Sequence, residues 1–354
     1  MVVAGCQAGS EAGGRAEPQP MLRTPRVAQG IITSPLPLPS SAPNPYAATG
    51  ATPGSGEGLR IGYLSLAEWN PYVHLVSTGI LDQARVAGVE LHFCDGNYDD
   101  RTVLACAREF AAADVQGVLS FQANQAISPA VCTAYGDVPT IAIDIVQHPC
   151  QVAFMGADNR AAGRMGGEAL GRFVRDRWGC AYTTYVSLGS PFAVAASRQR
   201  MEAYREGFRA YCPILDPHTL TADDAEWAFD AVSDLLASVE GDRIVIAAIN
   251  ENAILGAMRA ATAAGRQDDV WFSGQGADPV IWRDIACDPH YVASVAYFPE
   301  RYGRTLIPAI IDIVRGRSDA EGAVATRVPP ILYTDHQVLT ASTIRETYPA
   351  TPEC

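Results

Sequence analysis

The sequence predicts an α/β protein of two doubly wound lobes, each built on a parallel sheet. Three observations lead there. From Arg60 onward, short apolar runs alternate with helical stretches, as strands and crossover helices do in a parallel sheet. The alternation pauses after the short strand expected at 151–155 and restarts with a helix at Asn159. The chain is 354 residues long, about two domains on the usual prior of roughly 100–200 residues each.

The first strand is read at 60–66. A helix follows from near Pro71, where proline suits the first turn. Strands at 89–94, 117–121 and 140–145 alternate with helices near 100–113 and 125–135. The second series opens with a helix over 159–177, whose small residues Ala162, Gly163, Gly166 and Gly167 favour close packing. A strand at 182–188, helices at 196–211 and 223–239, and a strand at 243–249 come next. A helix over 251–264 is closed by Gly265, as helix C-termini prefer. Strands at 270–274 and 291–297 and a helix at 300–314, ending at Gly316, complete the series. The first strands of the two halves also look alike, Tyr63-Leu64-Ser65-Leu66 against Tyr185-Val186-Ser187-Leu188.

Residues 1–58 differ in kind. They hold nine prolines, nine glycines and six charged residues without apolar periodicity, which reads as an extended tether. Within it, Val3-Ala4-Gly5-Cys6 matches a lipobox, the site where a bacterial lipoprotein is cut and its cysteine lipidated. Only five residues precede Cys6, too few for a signal region, so the match is either accidental or requires a start upstream of Met1. With Cys6 lipidated, eight of the nine cysteines remain, an even number that suits disulfides and an oxidising compartment. The short loops Cys94–Cys106, Cys132–Cys150 and Cys180–Cys212 are the expected bridges, and buried free thiols are the alternative. No Cys-x-x-Cys pair is present.

Composition excludes several activities. All 26 basic residues are arginine; with no lysine, Schiff-base chemistry and a phosphate-binding loop ending in Gly-Lys-Ser/Thr are ruled out. A net charge of −13 argues against a duplex-binding protein. No run of eighteen apolar residues is present to span a membrane. His74, His92, His148, His218, His290 and His336 are scattered without metal-site spacing, and no Asp-x-Asp-x-Asp-Gly calcium loop occurs. No cofactor or metal is therefore expected, and the histidines read as surface or helix positions.

In open α/β sheets, ligands bind beyond the carboxyl ends of the strands. The residues at those ends are Trp69, Asn70, Pro71 and Tyr72; Gln122 and Asn124; Asp144; Ser190 with Arg198 and Arg200; Asn250, Glu251 and Asn252; Gln275; and Tyr297. Planar carboxylate, amide and guanidinium groups make paired hydrogen bonds that suit vicinal hydroxyls. Aromatic faces cover the C–H side of a sugar or polyol. The competing explanation is that such residues cap helices or satisfy loop backbone.

At these positions the chain resembles the type 1 periplasmic binding proteins of the ribose/galactose-binding class, solute receptors of sugar ABC importers. The resemblance covers roughly 60–334. It is carried by Ile61-Gly62-Tyr63 through Asn70-Pro71-Tyr72, Ile143-Asp144 before Gly156-Ala157-Asp158-Asn159, and Asn250-Glu251-Asn252 through Leu255-Gly256-Ala257. Gly274-Gln275-Gly276-Ala277-Asp278 and Tyr297-Phe298-Pro299-Glu300 fall where that family has its last pocket loops.

The resemblance implies two lobes closing about a multi-strand hinge on one sugar or polyol, in a monomer that serves an ABC permease outside the cytoplasm. It implies a first lobe of 59–157 plus 298–327 and a second of 158–297 plus 328–345. Hinge crossings are implied near Ala157-Asp158, Tyr297-Phe298 and Val328-Pro329. The pocket it implies is lined by Asn70, Tyr72, Asp144, Arg200, Asn250, Gln275 and Tyr297, with Trp69 and Gln122 nearby. Asp144 and Arg200 would contribute most, since hydrogen bonds to charged groups exceed neutral ones. Ribose receptors have arginine, aspartate and glutamine where this chain has Ile145, Gln275 and Tyr297. The implied site thus has fewer charges and more aromatic surface than a ribose site.

Other readings are weighed on the same residues. A sugar-responsive transcription regulator needs an N-terminal helix-turn-helix, which the Pro/Gly-rich start does not supply. A dinucleotide-binding enzyme needs Gly-x-Gly-x-x-Gly after the first strand, where only Gly62 stands. A sensory input protein for a chemoreceptor or kinase would have the same pocket and remains an alternative.

Overall fold

The computed structural model describes residues 44–46, 48–191, 194–318 and 328–354. Cys6, and with it the lipidation reading, lies outside the described residues, as does most of the expected tether.

The first lobe follows the expected alternation: β1 (Arg60–Ser65), α1 (Pro71–Ala87), β2 (Glu90–Asp95), α2 (Asp100–Ala112), β3 (Gly117–Ser120), α3 (Ser128–Tyr135), β4 (Thr140–Ile143) and β5 (Gln151–Gly156). The second contains α4 (Asn159–Trp178), β6 (Thr184–Gly189), α5 (Val194–Arg209), β7 (Pro217–Thr221), α6 (Ala225–Ser238), β8 (Ile244–Ala248), α7 (Glu251–Ala263), β9 (Val270–Gly276), α8 (Trp282–Cys287) and β10 (Tyr291–Ala296). The chain ends with α9 (Tyr302–Ser318), β11 (Ile331–Tyr333), β12 (Gln337–Leu339) and α10 (Ile344–Thr347).

The strands form two six-stranded sheets, ordered β11-β5-β4-β3-β1-β2 and β12-β10-β9-β8-β6-β7. Every pairing is parallel except β10 with β12. In each sheet the first strand lies between the second and third, so the winding reverses there and opens a crevice at the strand carboxyl ends. The resembling segments around Tyr63 and Tyr185 lie in β1 and β6, the first strand of each sheet.

Both sheets are covered on two faces, so the central strands read as nearly unbroken apolar runs, such as Ile-Val-Ile-Ala-Ala in β8. In the first lobe Ile61, Tyr63 and Ile141 meet Val76 and Ile80 of α1 and Ile307 and Ile310 of α9. Leu64 and Val118 on the opposite face meet Phe110 of α2 and Val131 of α3. In the second lobe Val186 and Ile246 pack with Val232 and Ile254, while Tyr185 and Val245 pack with Leu170, Tyr204 and Phe208. The small residues of α4 admit α5 at backbone distance: a Cβ at Gly167 would lie 2.0 Å from the Tyr204 carbonyl oxygen.

Several boundaries require correction. β7 was not expected; its alternating exposure at a sheet edge leaves no apolar run to recognise. The ordered body begins before residue 59. Asn44 donates from Nδ2 to Thr305 Oγ1 at 2.9 Å, the Tyr46 hydroxyl donates to Asp312 at 2.9 Å, and the Gly56 amide donates to the Ala87 carbonyl at 2.7 Å. These polar ties leave no periodicity in the sequence. The chain crosses between sheets after β5 and after β10, where Ala157-Asp158 and Tyr297-Phe298 were expected. The third crossing is not at Val328-Pro329 but between β11 and β12, over residues 334–336. Val328 belongs to the first core, and β11 pairs with β5, so 331–333 belong to the first sheet rather than the second lobe.

The three expected disulfides are present, Cys94–Cys106, Cys132–Cys150 and Cys180–Cys212. A fourth joins the remaining pair, Cys287 and Cys354, and ties the C-terminus to α8. No described helix is long and apolar enough to cross a membrane.

Candidate functional site

Asp144 stands directly beyond β4 with a backbone φ of 54°, a left-handed conformation that aspartate tolerates better than most residues. Its carboxylate accepts from the Tyr302 hydroxyl at 3.0 Å and the Tyr72 hydroxyl at 3.2 Å, and those two hydroxyls are 2.7 Å apart. Three elements thus converge: the β4 end, the first turn of α1, and the start of α9 just past a hinge crossing. Gly156 makes room, because a Cβ there would approach Asp144 Oδ1 to 2.6 Å. Burial raises the Asp144 pKa to about 6, against the lowering effect of both tyrosine hydroxyls and the Arg200 charge.

The facing lobe supplies Arg200, Gln275, Asp278 and Tyr297. Arg200 on α5 donates from Nε and Nη2 to Asn159 Oδ1 at 3.1 and 2.6 Å, and from Nη1 to the Ile249 carbonyl at 2.6 Å. Its guanidinium lies 4.9 Å from the centroid of the Tyr297 ring, a cation–π contact. The Tyr297 hydroxyl donates to Gln275 Oε1, leaving the buried Gln275 Nε2 unpartnered. Asp278 lies just past β9, and its Oδ1 is likewise buried without a partner. Burial, reinforced by the Glu251 charge and opposed by Arg200, raises its pKa to about 7.

The loop holding Asp278 is shaped from beneath by Glu251, a fully buried carboxylate at the start of α7. Glu251 accepts from the Tyr291 and Ser294 hydroxyls and, at 2.9 Å, from the Ala277 amide. His336, in the third crossing, packs against Tyr297 with ring centroids 5.5 Å apart. It is not a surface histidine as expected: burial lowers its pKa to about 4, and its Nε2 has no partner.

The other predicted residues lie elsewhere or serve the backbone. Asn70 caps α1, accepting from the Tyr72 and Val73 amides, which locks the turn that presents Tyr72. Asn250 caps α7 through Ala253 and donates to the Asp223 carbonyl at 2.8 Å. For these two, the helix-cap explanation accounts for the oxygen of each side chain. Gln122 is buried beyond β3 and donates to Ser128 Oγ at 2.8 Å, while its Oε1 is unpartnered. Trp69 is 68% exposed, tilted against Tyr98 at 5.6 Å and bonded to Asn97. It lies on the surface just past β1.

Sequence reasoning passed over Tyr302, Asp278, Asn159 and His336. Each had a positional signal: Asp278 follows a strand end, Asn159 and Tyr302 follow hinge crossings, and His336 lies in the crossing that was misplaced. Among the described residues no cluster of three or more His, Cys, Asp or Glu is arranged to hold a metal.

The family described as periplasmic binding protein domain matches residues 61–318. An ABC transporter solute binding protein from Mycobacterium smegmatis with bound glycerol is 20% identical, with a TM-score of 0.68 over 84% of this chain and 98% of that chain. A periplasmic solute binding protein from Actinobacillus succinogenes with bound D-allose is 16% identical, TM-score 0.68, over 81% and 99% of the two chains. A third, from Bacillus halodurans with bound myo-inositol, is 17% identical, TM-score 0.66, over 83% and 98%. At these identities the likeness is one of fold. No curated protein sequence matches the chain.

Proposed function

Because the chain belongs to the periplasmic binding protein domain family, we propose that it captures a polyhydroxylated ligand, a monosaccharide or polyol, between its two lobes and delivers it to an ABC importer. One observation carries this reading. The carboxyl ends of two facing sheets bring together Asp144, Tyr72 and Tyr302 from one lobe with Arg200, Tyr297, Gln275 and Asp278 from the other. Gln275 Nε2 and Asp278 Oδ1 have no partner in the protein, although they are buried. Buried polar atoms that the protein itself does not satisfy are the atoms a hydroxyl-rich ligand satisfies on binding.

Support for the ligand class comes from the fold's relatives, which hold glycerol, D-allose and myo-inositol. The four disulfides favour an oxidising compartment outside the cytoplasm. In this reading a lipidated Cys6 with the residues after it would hold the body at a membrane surface, and an ABC permease would receive the ligand from a monomeric receptor.

The test is the thermal midpoint of the full chain against a panel of monosaccharides, polyols and nucleotide cofactors. A true ligand at 100 times its Kd adds about 2.7 kcal/mol of stability. A midpoint raised by a nucleotide cofactor and by no sugar or polyol would overturn the reading.

A further inference from the structure

The charges at the site do not balance. Asp144 and Asp278 both face the cleft, and no described arginine or histidine nitrogen lies within 4.0 Å of either carboxylate. Arg200 acts on both from a distance but is held inside its own lobe: three of its five N–H donors go to Asn159 and the Ile249 carbonyl, and the Tyr297 ring lies beside it. His336 is uncharged near neutral pH. The further charges acting on these groups are acidic: Glu251 beneath Asp278, and Asp158 beside His336. The two carboxylates also share a neighbour. The Tyr72 hydroxyl that donates to Asp144 feels the charge of Asp278 from the opposite lobe. Burying carboxylates costs free energy unless a positive charge or several hydrogen bonds answer them; Asp278 Oδ1 has no hydrogen-bond partner and no ion pair.

We propose that the cleft selects a ligand bearing a protonated amine, an amino sugar or amino polyol, whose ammonium group supplies the positive charge that Asp144 and Asp278 lack. The proposal rests on the receptor reading above and narrows its ligand class. An aromatic surface fits both parts of such a ligand: the half-buried Tyr72 ring can cover a C–H face and add attraction for a cation.

The experiment is calorimetric titration of the full chain at pH 7 with three matched pairs: glucosamine and glucose, galactosamine and galactose, glucamine and sorbitol. At least one amine is expected to bind about 10-fold or more tightly than its neutral partner, the range for a hydrogen bond to a charged group. Because burial raises the Asp278 pKa to about 7, that binding should also release protons from the site, read by repeating the titration in buffers of different ionisation enthalpy. The groups that set this titration are Glu251, Arg200, Tyr72, Tyr297 and Tyr348 around Asp278, and Arg200, Tyr72, Tyr297 and Tyr302 around Asp144. Asp278→Asn should bring the pair to within about threefold, and Asp278→Glu should keep the preference. Neutral ligands binding as tightly as their amines, or binding without proton release, would overturn the amine class and leave the sugar receptor standing. If none of the six binds, the amine class fails, and the thermal panel above decides the receptor reading. Should Asp278→Asn not fold, the wild-type pairs and proton release decide alone.

Discussion

The two lobes share one strand order but hold their cleft carboxylates in different ways. Asp144 is fixed by a left-handed backbone and two tyrosine hydroxyls before any ligand arrives. Asp278 sits on a loop shaped by the buried Glu251 and leaves one oxygen unanswered. One lobe thus presents a pre-organised acceptor and the other an unsatisfied one. Binding on the first lobe should depend on geometry already in place, and on the second on a contact that only the ligand completes.

The largest break in that comparison is Asp144→Ala. It removes the carboxylate on which the Tyr72 and Tyr302 hydroxyls converge and leaves those hydroxyls to each other. Ligand affinity should fall about 100-fold, corresponding to a charged hydrogen-bond pair, while thermal unfolding stays cooperative. Calorimetric titration checks this, and an unchanged Kd would take Asp144 out of the site.

Next in size is the pH dependence of the ligand-free protein. Both carboxylates have folded pKa values raised above the ordinary 3.8, to about 6 and about 7. Their neutral forms are favoured on folding, so this contribution to stability is fully present below about pH 4 and is lost as pH rises through 6 to 7. Asp278→Asn should flatten the upper part of that loss in a series of thermal midpoints. An identical slope in the variant would contradict the assignment.

Tyr72→Phe deletes one of the two donors that hold Asp144 and leaves Tyr302 in place. A neutral contact of about 1 kcal/mol predicts a fall in affinity of about fivefold by the same titration. The smallest effect belongs to Trp69→Ala. Trp69 is 68% exposed and is held by Asn97 and Tyr98, so affinity should change by less than about twofold.

Where periodicity was long, the sequence was readable. The buried central strands and the capped helices of both lobes carry period and cap signals, so the doubly wound order could be anticipated, and an even cysteine count with short loops pointed to three of the disulfides. The elements missed were those that tertiary context makes. β7 is an edge strand without an apolar run, β11 and β12 are three residues each, and 44–58 is held by isolated polar bonds. Listing strand ends named Asp144, Tyr72, Arg200, Gln275 and Tyr297, and the fold places these at or near the carboxyl ends of its strands. Asn70 and Asn250, named with them, also cap α1 and α7. Strand ends could not find Tyr302 and His336, which reach the site only because the chain crosses between the lobes there.

The central claim is that one ligand is held by both lobes at once. The direct measurement is the Kd of the strongest stabilising ligand for the wild type, for Asp144→Ala in the first lobe and for Asp278→Ala in the second, each shown to melt cooperatively. Both variants should weaken that ligand about 10-fold or more. A ligand weakened by substitution in one lobe and indifferent to the other would contradict capture between them.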